Sequence, residues 1–119
     1  AGGGHAVRVV MTHNATRFVA PLSFEALSGH AVLVDTFAGA GAPTEGAPGT
    51  IDHVNWAKWA EAVVVAPASA NTLARIACGL ADDALSTVLL AVPAGVPILL
   101  APAMNTARPP VASSTARCQ

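Results

Sequence analysis

This sequence carries little charge. Lys and Arg total 6 and Asp and Glu total 7, or 11% of 119 residues, where soluble globular chains carry about 25%. The formal net charge is −1. A duplex or an anionic membrane surface calls for a surplus of basic side chains, so neither is expected as a partner. No apolar run reaches about 18 residues, which excludes a transmembrane helix, and no charged-then-apolar leader is visible. Two cysteines, Cys78 and Cys118, cannot form a disulfide framework in a chain of this size. A reduced cytoplasmic protein is the default. His5, His13, His30 and His53 lie in separate segments without metal-ligand spacing, so no zinc site is expected. The glycine patterns of dinucleotide, P-loop and serine-hydrolase sites are also missing.

Hydrophobic residues are abundant, at 53% with a mean hydropathy of +0.53. That excludes disorder. So few charges cannot cover the surface of a small monomer, so burial between subunits is expected. The length fits a single domain over residues 1–119. It begins at Ala1 and not at Met, and it is expected to be incomplete at the N-terminus and in the tail.

Four apolar runs read as strands: 6–11, 31–34, 62–66 ended by Pro67, and 96–101 ended by Pro102. They are continuous and not alternating, as in parallel strands covered on both faces. Between them lie helix candidates at 16–28 before Gly29, 52–60 with Trp56 and Trp59 three apart, 71–78 before Gly79, and 81–91. In the last of these Asp82 and Asp83 would occupy the first turn. The alternation predicts an α/β domain: a Rossmann-like (flavodoxin-like) doubly wound parallel sheet with helices on both faces. The stretch 38–50 (AGAGAPTEGAPGT) reads as a surface loop and 107–119 as irregular. Cys78 falls in an apolar helix pattern and is expected in the core.

Ligands of open α/β sheets bind at the carboxyl ends of the strands. One strand end here runs into Thr12-His13-Asn14-Ala15-Thr16, where hydroxyls and a helix start suit a phosphate, although helix capping is the plainer reading. Another runs into Pro67-Ala68-Ser69-Ala70-Asn71-Thr72. Its small residues let a flat ligand approach the backbone, and its polar side chains offer donors and acceptors. A third runs into Pro102-Ala103-Met104-Asn105, and two Pro-Ala strand ends followed by Asn are less easily explained by capping. His53, at the start of the tryptophan helix, can serve as a general base, although a lone histidine is more often structural. Cys118 reads as an idle tail residue.

Three stretches, VRVVMTHNATRFVAPLSFEALSG (7–29), DHVNWAKWAEAVVVAPASANTLARIACGLADDALSTVLLA (52–91) and VPILLAPAMN (96–105), cover well over half of the chain. In combination they resemble the homo-oligomeric flavin-containing cysteine decarboxylases, which include phosphopantothenoylcysteine decarboxylase and the epidermin-type peptidyl-cysteine decarboxylases. The resemblance implies FMN as cofactor, His53 as the active-site histidine, and Ser69, Ala70, Asn71 and Thr72 as a flavin-contacting segment. Thr12 would lie near the flavin phosphate. Ala103 would contact the cofactor, and Asn105 would face the substrate carboxylate. It also implies trimers with FMN at subunit contacts, some of which assemble into dodecamers.

The implied reaction is an oxidative decarboxylation. Hydride leaves the cysteine Cβ for the flavin, the resulting thioaldehyde accepts the electron pair as CO2 departs, and an enethiol forms. His53 would assist removal of the thiol proton. The family's first strand, glycine-containing flavin loop and first helix have no counterpart before Ala1. Thr106-Ala107-Arg108-Pro109 follows Asn105 where the family continues with Met-Trp. The missing Met-Trp favours a C-terminal cysteine of a ribosomal peptide natural-product precursor as substrate, with phosphopantothenoylcysteine of coenzyme A synthesis as the alternative. Cys118, read as a clamp cysteine, would favour the latter. A non-catalytic FMN-binding regulatory subunit is the rival from another class, and the presence of both His53 and Asn105 counts against it. A flavin prenyltransferase-like reading fits the PASANT and PAMN segments poorly.

Overall fold

The computed structural model describes residues 3–35 and 52–104, with only the backbone described at Asp52 and His53. Within them a 3-10 turn (Ala15–Arg17) precedes helices α1 (Pro21–Ser28) and α2 (Asp52–Trp59), strand β1 (Val63–Ala68), helices α3 (Ala70–Cys78) and α4 (Ala84–Ala91), and strand β2 (Ile98–Pro102). The architecture is the expected Rossmann-like α/β arrangement. The expected loop at 38–50 and tail at 107–119 lie outside the described residues.

All observed strand pairing is parallel. Val63, Val64 and Val65 of β1 pair with Ile98, Leu99 and Leu100 of β2, and the register shifts before Ala68 meets Pro102. Pro67 lies in the shifted stretch and has no N–H to give to a ladder. The strands expected at 6–11 and 31–34 reduce to a single parallel bridge between Val10 and Leu33. It is held by Met11 N–H on the Leu33 carbonyl at 2.8 Å and Leu33 N–H on the Val9 carbonyl at 3.0 Å. The Glu25 carboxylate accepts from Val32 N–H at 3.1 Å, which ties α1 to this pair.

Proline divides the helix expected over 16–28. Ala20 is extended (φ −69°, ψ 137°) and Pro21 opens α1, because a proline ring disfavours helical backbone in the residue before it and suits the first helical position. Gly29, at φ 74°, closes α1 through its N–H on the Glu25 carbonyl. α3 starts at Ala70, one residue ahead of the expected 71, because Ser69 is its N-cap: the Ser69 side chain accepts from Thr72 N–H. Asp82 and Asp83 lie ahead of α4 instead of inside its first turn. Asp83 is the N-cap and forms a reciprocal capping box with Ser86. Asp82 pairs with Arg75 of α3, whose guanidinium also lies 3.7 Å from the Asp83 carboxylate. This clasp joins the end of α3 to the start of α4.

The core is small. Val65 and Ala68 of β1 meet Leu89 of α4, with Leu73, Ile76 and Leu85 packed around them. Alternate β1 residues point the other way, and Val64 is 67% exposed. β2 is exposed along its whole length, so the described residues do not cover it on both faces as its continuous apolar run predicts. Cys78 is exposed rather than in the core. Two residues past Ile76, it is turned by about 200° from the face that packs on β1. Its sulfur is not a free thiol. Leu22 and Leu27 of α1 and Phe18, which follows the 3-10 turn, are also exposed apolar side chains, Phe18 at 89%.

Candidate functional site

The parallel arrangement places the carboxyl ends of β1 and β2 side by side. The Ala103 N–H donates to the Ala68 carbonyl at 2.9 Å, so the segments following both strands start from one edge. Ala68 is fully buried at that edge. Ser69, Ala70, Asn71, Thr72 and Ala103 are thereby brought together by backbone geometry, although the sequence separates them by more than 30 positions.

The first turn of α3 supplies the polar groups. Ser69 Oγ accepts from Thr72 N–H at 3.2 Å and lies 3.1 Å from Thr72 Oγ1. Helix geometry leaves the N–H groups of Ala70 and Asn71 without an intrahelical acceptor, and the helix dipole adds partial positive charge there. Ser69 and Asn71 are exposed, and Ala70 and Thr72 are half-buried. Small side chains at 70 and 103 leave the backbone open to a planar ligand, and the hydroxyls and amides can then bind its polar atoms.

Thr12 follows the other strand pair. Its Oγ1 accepts from Ala15 N–H at 3.2 Å while its carbonyl accepts from the same N–H at 3.0 Å. Thr12 therefore meets the first N–H of the 3-10 turn with two oxygens, a contact that does not use its hydroxyl proton. Among the described residues no backbone hydrogen bond joins this strand pair to β1, so the structure places Thr12 at a strand end without bringing it onto the edge shared by Ser69 and Ala103.

His53 lies in the first turn of α2, directly ahead of the Trp56 turn. Asn105 lies outside the described residues, although Ala103 and Met104 lead to it from the β2 end. Among the described residues no group of three His, Cys, Asp or Glu could hold a metal ion. No helix among them is long and apolar enough to cross a membrane.

One residue escapes sequence reasoning altogether. The Arg8 guanidinium carbon lies 5.3 Å from the ring centroid of Trp56 and 5.0 Å from that of Trp59. The spacing of the two tryptophans is visible in the sequence, but their partner is a lone charge in a distant apolar run.

A family model described as Flavoprotein matches residues 2–110. The coenzyme A biosynthesis bifunctional protein CoaBC of Bacillus subtilis (strain 168) is 49% identical over 102 residues, which are 86% of this chain and 23% of that protein. Among solved structures, the FMN-dependent cysteine decarboxylase SpaF aligns with a TM-score of 0.71 at 39% identity, over 84% of this chain and 52% of its own. A PPC decarboxylase variant complexed with pantothenoylaminoethenethiol aligns with a TM-score of 0.66 at 34% identity, over 85% of this chain and 53% of its own. The chain thus spans about a quarter of the curated relative and about half of each solved one.

Proposed function

The chain belongs to the flavoprotein family, and from that premise we propose that it is an FMN-dependent cysteine decarboxylase. The observation that carries the reading is the shared edge of β1 and β2, where Ser69 to Thr72 and Ala103 meet. The residues fit FMN. Small side chains leave room for a flat ring, and the first-turn amides of α3 with Ser69 and Thr72 offer donors to its oxygens and phosphate. Thr12 adds a hydroxyl donor from the other strand pair.

FMN, when bound, supplies the hydride acceptor for the substrate Cβ–H bond. The protein's residues do the rest. His53 takes the thiol proton. Asn105 donates its side-chain amide N–H to the substrate carboxylate and holds it until CO2 leaves. Ser69, Ala70, Asn71 and Thr72 fix the cofactor by hydrogen bonds and close contact, and Ala103 lines it from the β2 side.

Phosphopantothenoylcysteine is the substrate we favour, because the Bacillus subtilis relative at 49% identity is a coenzyme A biosynthesis protein. That identity outweighs the missing Met-Trp, which had pointed to a peptide. A peptide ending in cysteine is the second reading, supported by the likeness to SpaF. Assembly as a homotrimer accounts for the sparse charge and for the exposed Phe18, Leu22 and Leu27.

The test is a visible spectrum of the purified protein, then mass analysis after mixing with each substrate. Flavin bands with a loss of about 46 mass units (one CO2 and two hydrogens) from a cysteine-ended peptide, or of about 44 mass units (CO2 alone, the two hydrogens being returned to the enethiol) from phosphopantothenoylcysteine, establish the reaction. The substrate that loses mass identifies the class. Flavin bands with neither substrate altered indicate a non-catalytic FMN-binding protein. A colourless protein that does not take up FMN refutes the proposal.

A further inference from the structure

Arg8 is the one charged residue in the run 6–11, and it is exposed. Its guanidinium is shared by two indoles of α2, at 5.3 Å from Trp56 and 5.0 Å from Trp59. Both distances fall within the range of cation–π attraction, for which tryptophan is the best partner. Trp59 is the last residue of α2, so the charge also stands by the helix C-terminus, where the dipole favours a cation.

The contact has a consequence for the site. Among the described residues α2 packs on α4, and Ala57 is its one buried side chain. Arg8 connects α2 to the strand that carries Val9 to Met11 and leads into Thr12. His53 lies three residues ahead of Trp56, about 4.5 Å along the helix axis. A tilt of α2 at the tryptophans therefore shifts His53, in the first turn of the same helix. Misplacement of a reacting group by about 1 Å costs on the order of a hundredfold in rate.

We propose that Arg8 is a positioning residue: held on the faces of Trp56 and Trp59, it fixes α2 and with it the placement of His53. The inference rests on the reading of His53 as the active-site base. It names a device 45 positions away in the chain that acts through the helix and not on substrate.

The experiment uses the whole chain loaded with FMN and compares Arg8→Met, Arg8→Lys and Trp59→Leu. Steady-state kinetics are read beside amide hydrogen exchange of α2. Arg8→Met keeps the stem and removes the charge. It is expected to lower kcat by about tenfold or more, with KM and bound flavin within about twofold, and to speed exchange in α2 by about tenfold while α3 and α4 are unchanged. Trp59→Leu shows the same pattern from the other partner, and Arg8→Lys, still a cation but without the planar guanidinium, recovers part of both effects. An unchanged α2 exchange rate or an unchanged kcat in Arg8→Met overturns the proposal. His53→Asn is measured alongside. If that variant stays fully active, the base reading has failed and the catalytic part of this inference fails with it. Unaltered α2 exchange in Arg8→Met points instead to failure of the clamp itself.

Discussion

Replacing Ser69 by alanine separates two roles that one hydroxyl plays at the start of α3. As the N-cap it accepts from Thr72 N–H at 3.2 Å, and loss of such a cap costs about 1 kcal/mol. For a domain of this size that lowers Tm by about 4 °C. As a proposed FMN contact, the same hydroxyl contributes a hydrogen bond to an anionic ligand, worth about 1.5–3 kcal/mol. Its loss weakens FMN binding by about tenfold or more. Asp83→Ala is the control. It removes the cap of α4, whose Oδ1 accepts from Ser86 N–H and Ser86 Oγ, both at 2.7 Å, and it leaves a buried hydroxyl with one partner fewer. That variant should lose at least as much stability, about 1–2 kcal/mol, yet bind FMN within about twofold of the parent. The assay is fluorescence titration of apoprotein with FMN well below both melting temperatures, with calorimetry for Tm. Equal losses of FMN affinity in the two variants, or none in Ser69→Ala, would remove Ser69 from the cofactor site and leave it as a cap alone.

Three further outcomes are expected. His53→Asn should keep the yellow colour and abolish CO2 release, measured by headspace analysis; full activity would sink the base assignment. Asn105→Asp sets a negative charge against the substrate carboxylate. It should weaken substrate binding by about 2–5 kcal/mol, and an unchanged KM would take Asn105 out of the substrate site. Val65→Ala deletes two buried methyl groups from the patch shared with Ala68 and Leu89. It should cost about 2 kcal/mol in urea unfolding, and a loss under half of that would show that this patch is not the core.

The features readable from the sequence are those decided within a few residues. Gly29 and Gly79 end α1 and α3 as expected, because a left-handed C-cap is a local requirement that glycine meets. Parallel pairing was also readable, since β1 and β2 are continuous apolar runs separated by helices. The errors have local causes as well. Pro21 divides the first helix by its ring. Ser69 starts α3 one residue early because its hydroxyl reaches Thr72 N–H. Asp83 is drawn out of the helix by its reciprocal bonds with Ser86.

What the sequence could not reveal depends on distance in the chain. The site edge exists because Ala103 bonds to Ala68, a contact set by sheet register and not by either segment alone. Arg8 illustrates the same point more sharply. A lone arginine in an apolar run reads as a solvated charge, and a tryptophan pair three apart reads as one face of a helix. Only the fold brings the charge onto both rings, and with that contact an apparent surface residue becomes a link between the Thr12 strand and the helix that carries His53. Charge is scarce in this chain, so each charged side chain that the fold places against a partner is informative. Arg75 clasps Asp82 and Asp83, Glu25 takes Val32 N–H, and Arg8 takes the two indoles. Each joins two segments through a directed polar contact, which the apolar side chains that are abundant here cannot supply.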